Sequence, residues 1–252
     1  MRLLGGGEEP GRGRDRMRVC FPGVSHTHHK TTKTPRGVCE RCRPLMTTLH
    51  VGARPPPCST LERYASNIAN RPFNHGFMPG GPRQEHSSGL RTIQLQSQKL
   101  GHGMQCYQKA RDMLLAWEMH QGSQSTGIWT DGEAIITWAA MAPGLWVLNP
   151  CRTLPTEQVA HRRGQATTVG YATTSGHLLA GYELMTVRYD EADRSVRFEV
   201  RSFSRGSGPL GRAIFPLLAP AQLRFFREQV HRMEAHFEGE TNRKRERRFA
   251  IS

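Results

Sequence analysis

The chain has no run of eighteen apolar residues, so no membrane-spanning helix is expected. Its opening, MRLLGGGEEP, is too short and too polar to hold a secretory hydrophobic region. Cysteine is sparse: six residues at 20, 39, 42, 58, 106 and 151, which without an export signal are expected to stay reduced. Acidic residues are few, 21 against 35 Lys and Arg. Hydrophobic content is 37%, low for a wholly globular chain, while Gly and Pro number 26 and 16. That mixture predicts an ordered body with poorly ordered ends.

The net charge of +14 invites a nucleic-acid reading, but its placement argues against one. Residues 1–58 hold eleven basic and four acidic groups, and residues 241–252 hold five and one, which leaves only +3 between them. A nucleic-acid groove needs its cations on the folded surface in fixed geometry. Specific nucleic-acid binding is therefore not expected, and the tails offer at most weak attraction to anionic surfaces.

Residues 1–58 lack sustained periodicity and close on the run Pro55-Pro56-Pro57, and 1–60 is read as an extension ahead of the domain. Three readings compete for them: a disordered extension, an organellar transit peptide, or translation truly starting at Met17 or Met46. Residues 61–90, rich in Asn, Pro and Gly, read as an irregular lead-in, and 91–240 as the domain. The compartment stays open, organellar if the first segment is a transit peptide.

Within the domain, Thr92–Leu95 alternates as a half-buried strand should. A helix is expected from about 103 to 121, with Cys106, Ala110, Met113, Leu114 and Trp117 as its apolar stripe and Gly122 as its cap. Strands follow at 134–140, 145–148, 165–173, 178–189 and 195–203. In the last, Val196, Phe198 and Val200 form a dry face and Arg197, Glu199 and Arg201 a wet one, and Phe203 breaks the alternation, marking a bulge or a change of face. A final helix spans about 219–238, striped by Leu223, Phe226, Val230, Met233 and Phe237 and ended by Gly239, with a basic solvated tail over 241–252. The order predicts an α+β fold: an antiparallel sheet burying one face against the long C-terminal helix.

Several blocks now line up in order. Gly101-His102-Gly103 precedes Trp117 and Met119-His120; Val147-Leu148-Asn149-Pro150 precedes Arg152; Tyr171 to His177 precedes Gly181-Tyr182-Glu183; and Ser202-Phe203-Ser204-Arg205 closes the set. Together they resemble the family called domain of unknown function nineteen-ninety, with Phe73-Asn74-His75 as a further echo. The chain departs from that pattern where Tyr182 replaces a carboxylate and Gly206 replaces a proline. The resemblance implies no established activity. Its element order is similar to helix-grip folds, in which a curved antiparallel sheet wraps a C-terminal helix and leaves a cavity for apolar molecules.

Several candidate sites can be weighed. Gly101-x-Gly103 lacks the third glycine and the βαβ setting of a dinucleotide loop, and reads as a strand-to-helix turn. Cys39 and Cys42, with Cys20, His26, His28 and His29 upstream, have the spacing of a zinc knuckle but no second pair, so no metal is expected. His177 and Glu183 are the candidate acid–base pair, although parity puts them on opposite faces unless Gly181 resets the strand. Arg152, after Asn149, and Arg205, after Ser204, could share an anion or instead pair internally with Glu183 or Glu199. Ser207 misses the nucleophile-elbow pattern.

The expectation is a small-molecule binding domain for an apolar or amphipathic ligand, needing no cofactor. Its pocket would lie between sheet and C-terminal helix, walled by Trp138, Trp146, Phe198 and Phe226. Arg152, Asn149, His177, Glu183, Ser204 and Arg205 would be its polar contacts. The alternatives are a hydrolase- or isomerase-like enzyme using His177 and Glu183, and an interaction module docking through the basic tails.

Overall fold

The structure, a computed structural model, describes residues 48–68, 70–76, 91–97, 99–120 and 126–249. The Cys39–Cys42 pair, the cap expected at Gly122 and the question of a transit peptide lie outside them. Among the described residues, ten strands form one antiparallel sheet: β1 (Thr48–Val51), β2 (Arg91–Gln96), β3 (Gly101–His102), β4 (Thr126–Thr130), β5 (Ala134–Ala142), β6 (Leu145–Thr153), β7 (Glu157–His161), β8 (Gly164–Thr173), β9 (Leu179–Asp190) and β10 (Ser195–Gly206). The order is β2-β10-β9-β8-β6-β5-β4, with β1 added to β6, β3 to β10 and β7 to β8. Among the described residues three α-helices accompany it: α1 (Cys58–Ala65), α2 (Met104–Leu115) and α3 (Gly208–Phe249). The fold is thus α+β, a large antiparallel sheet packed on a C-terminal helix. No helix among the described residues is long and apolar enough to cross a membrane.

Period-two alternation sends the even residues of β10 and the odd residues of β9 to one face. There Val196, Phe198, Val200, Met185 and Val187 are fully buried under α2 and α3. Trp117 ends the α2 region with a positive φ of 56°, a conformation costly for a bulky residue. This reversal turns the chain into a short 3-10 segment, Glu118–His120, and carries Met119 and His120 inward.

The opposite face is wet only in part: Arg201 and Arg205 are exposed, whereas Glu199 and Phe203 are buried. Phe203 keeps the regular register, paired with Tyr182 and Thr92, so no bulge is needed. It is buried because Tyr182 lies 4.8 Å away, with Leu154 and Ala172 in the same cluster and Phe73 against them. Further along that sheet α1 and the turn after it cover a third cluster: Leu61, Tyr64 and, from the turn, Ile68 over Trp129, Trp138, Trp146 and Leu148. The ordered body therefore begins earlier than expected, since β1 and α1 fall in the stretch read as unstructured. A four-residue strand and an eight-residue helix are marginal alone. Each acquires a partner, β6 for β1 and the tryptophan cluster for α1.

Helix α3 differs from expectation at both ends. It starts at Gly208 and accommodates Pro216 and Pro220. The two prolines are four residues apart on the exposed side, where water can bond the carbonyls they leave unpaired. It also runs through Gly239 to Phe249. Its line of deepest burial is Gln222, Phe226, Gln229, Met233 and Phe237, while Leu223 and Val230 are only half-buried.

Candidate functional site

The blocks singled out in the sequence converge at one end of the sheet, where β6 and β8 end, β9 begins and β10 runs into α3. Phe73 bridges Thr174, and Thr174 donates through its backbone N–H and its hydroxyl to the Pro150 carbonyl, both at 3.1 Å. Asn74 is the hub. Its Nδ2 donates to the Leu179 carbonyl at 2.8 Å and to Ser207 Oγ at 3.3 Å, and its Oδ1 accepts from the Thr173 hydroxyl at 2.6 Å. Ser207 N–H donates to the Leu178 carbonyl at 2.8 Å.

A cavity of about 440 Å³ opens beside this hub, lined by Asn74, Ala180, Arg205, Ser207, Arg212 and Phe215. Glycine sets its shape. A Cβ on Gly206 would collide with the Gly211 carbonyl, so only glycine lets the helix start lie so close to the strand end. The wall mixes two guanidinium-bearing side chains, an amide and a hydroxyl with an aromatic ring and a methyl group. That composition suits an acidic head joined to an apolar body. A larger depression, about 780 Å³ and wide open, lies elsewhere between β1 and the β5–β6 turn, against Trp146.

Behind the cavity, on the helix-covered face, lies a buried polar network. Tyr171 donates its hydroxyl to the Glu183 carboxylate. Gln222 of α3 donates to Ser202 Oγ and accepts from Ser204 Oγ, each at 3.1 Å, and also bonds Glu183. Burial pushes the Glu183 carboxyl up to about 7, against the bonds from Tyr171 and Gln222, which favour the ionised form. The Cys151 thiol and the Tyr171 phenol are both pushed well up, by burial first and then by the Glu183 charge, so neither is an activated nucleophile.

His177 belongs to a different neighbourhood. Its Nδ1 accepts the Leu179 N–H at 2.8 Å, and burial, then the nearby His75, pushes its pKa down to about 3. His75 in turn lies against the Tyr182 ring, across the sheet from Glu183. The two members of the expected acid–base pair thus do not meet: no hydrogen bond or ion pair joins them among the described residues. His177 precedes the strand, in the turn closed by its own N–H to the Thr174 carbonyl, and its bond from the Leu179 N–H holds it there.

The remaining expectations separate in the same way. Arg205 lines the cavity, whereas Ser204, one residue earlier, points to Gln222. Arg152 stacks over Phe73 at 5.2 Å and does not share the cavity with Arg205, and Asn149 sits half-buried opposite Thr137. Of the acidic partners weighed for these arginines, Glu199 holds Arg201 at 2.8 Å and Gln94 at 3.0 Å, and Glu183 accepts from Tyr171. Trp138 and Trp146 belong to the α1 cluster while Phe198 and Phe226 sit in the α3 core, so the four do not wall one pocket. Gly101-x-Gly103 is a strand-to-helix turn, β3 leading into α2 through a positive φ of 85° at Gly103. Among the described residues no group of three His, Cys, Asp or Glu could hold a metal ion. Sequence reasoning missed Arg212, Phe215, Tyr171 and Gln222 as site residues, and took Asn74 only as part of the Phe-Asn-His echo.

Fold and site together define an antiparallel α+β domain with a polar-rimmed cavity at the root of its C-terminal helix. Residues 82–232 match the family described as Domain of unknown function (DUF1990), and the chain belongs to that family. A UPF0548 protein of Deinococcus radiodurans is 29% identical over 140 residues, covering 50% of this chain and 68% of that one. Among solved structures, the hypothetical protein jhp0584 of Helicobacter pylori matches 64% of this chain and 98% of its own, with a TM-score of 0.40 and 13% identity. An uncharacterized protein from Rhizobium leguminosarum matches 59% and 95%, with a TM-score of 0.31 and 15% identity. Nothing further rests on likenesses of that size.

Proposed function

We propose that the domain binds a small amphipathic acid in the cavity between the strand ends and the start of α3. One observation carries this reading: a space of about 440 Å³, within the range of small-molecule sites, is bounded by β9, β10 and α3 where the family blocks converge. Arg205 and Arg212 face an acidic head, and Phe215 and Ala180 an apolar body. The enzymatic alternative loses its pair, since His177 and Glu183 are held in separate networks.

Native mass spectrometry of the full chain should reveal a co-purifying small molecule. A thermal-shift panel of fatty, aromatic and isoprenoid acids should raise Tm by several degrees for at least one class. At a hundredfold excess over Kd a ligand adds about 2.7 kcal/mol of stability, or roughly 5–10 °C for a domain of this size. The double substitution Arg205→Ala and Arg212→Ala should abolish that shift. An unshifted panel together with an adduct-free spectrum would refute the reading.

A further inference from the structure

The buried stripe of α3 contains two glutamines, and only one is satisfied. Gln222 bonds Ser202, Ser204 and Glu183. Gln229 is fully buried, yet neither its Nε2 nor its Oε1 has a partner among the described residues. His120, 1% exposed, has both ring nitrogens in the same condition.

The two belong to one place. Phe225, Gln229 and Arg232 follow at steps of four and three and so share a side of α3. The Phe225 ring stacks on His120 with centroids 5.4 Å apart, and Arg232 Nη1 donates to the Met119 carbonyl at 3.3 Å. Gln229 therefore lies between the two helix residues that touch Met119 and His120. Trp117 closes the far side, its ring 5.9 Å from that of His120. His120 brings two unpartnered buried nitrogens to this junction and Gln229, on the adjoining side of α3, two unpartnered amide atoms, and each such atom carries the full desolvation penalty of its group.

We propose that the junction of the 118–120 turn with α3 is an internal binding site for a small neutral molecule that both donates and accepts hydrogen bonds. Its members are water and primary amides. The donor set fixes this class. His120 is held neutral, its pKa pushed down to about 3 by burial and then by Arg232, so its ring offers one N–H and one lone pair. Gln229 adds an NH₂ and a carbonyl. Arg232 opposes a cation, and its guanidinium is already engaged by the Glu228 carboxylate at 3.4 Å, which disfavours an anion. A water held by two to four polar partners is the smallest occupant that fits this chemistry.

The sign of a stability change tests the site. Gln229→Met keeps the shape and removes the amide. With an occupant bonded there, urea titration of the full chain should show the folding equilibrium constant falling by about tenfold, the scale of a lost buried hydrogen bond. With the amide atoms unmet, the same substitution should raise it, and the proposal fails. Magnetisation transfer from long-lived water to the Gln229 side-chain amide protons provides the second readout. A transfer signal supports the site. A direct His120–Gln229 hydrogen bond with no transfer from water or solute overturns it. Added acetamide separates the two members: displacement of the water signal assigns an amide occupant, and persistence assigns water. Acetate and methylammonium at equal concentration should leave the signal unchanged; displacement by either ion would overturn the neutral class.

Discussion

Glu183 is a carboxyl inserted between a phenol and an amide, and its protonation links directly to folding. Its folded pKa is pushed up to about 7 from a reference near 4.5. Below pH 4.5 the proton is bound in folded and unfolded chains alike, and the group's stabilisation is fully present. Between about 4.5 and 7 only the folded chain retains it, so this contribution is lost as pH rises through 7. Two and a half pK units correspond to about 3 kcal/mol, reduced to roughly 2 because the side chain keeps some solvent access. Glu183→Gln should therefore gain about 2 kcal/mol on wild type between pH 5 and pH 8, measured by urea titration at each pH. His120 acts with the opposite sign. Its depressed pKa adds stability present above its ordinary 6.5 and lost as pH falls towards 3. Replacing it with Phe should flatten the acid side of the profile and leave the alkaline side alone.

At the scale of the element, α3 shows how a helix can be legible in outline and misread in detail. The spacing of Phe226, Met233 and Phe237, seven and four residues apart, was visible in the chain, and all three are buried. Taking hydrophobic residues as markers placed Leu223 and Val230 on that line, yet the centre passes through Gln222 and Gln229. Periodicity fixes the angular spacing of a stripe; its exact bearing depends on what the facing layer supplies. Here the sheet presents Ser202, Ser204 and Glu183, groups that an amide can satisfy and a leucine cannot. The two sides of the helix should accordingly respond very differently to truncation. Phe226→Ala, at a fully buried ring, should cost about 3–5 kcal/mol. Leu217→Ala, at a side chain 78% exposed, should stay within about 0.5 kcal/mol. Denaturant midpoints at unchanged m-value would measure both.

Over the whole molecule, one sheet serves three apolar clusters, and stability should be graded across it. β9 lies between β8 and β10 with long ladders on both sides, whereas β4 and β7 each pair on one side only. Amide hydrogen exchange should thus be slowest in β8–β10 and several orders faster in β4 and β7; equal protection throughout would contradict the layered arrangement. The same layering explains which sequence readings survived. The alternation in β10, the β5–β6 turn, the strand-to-helix turn at Gly103 and the α+β class depend on local periodicity and turn chemistry, and each is where the chain placed it. Membership of the family likewise follows from ordered blocks of residues. Assembly across the chain decided the rest. That Tyr182 and Phe203 are dry, that Trp138 and Trp146 lie beneath α1, that His177 and Glu183 serve different networks and that Asn74 stitches three segments into a cavity wall are all contacts between residues far apart in sequence. A strand's pattern states that its faces differ; only packing determines what covers each face, because burial belongs to a pair of surfaces and one segment encodes just its own half.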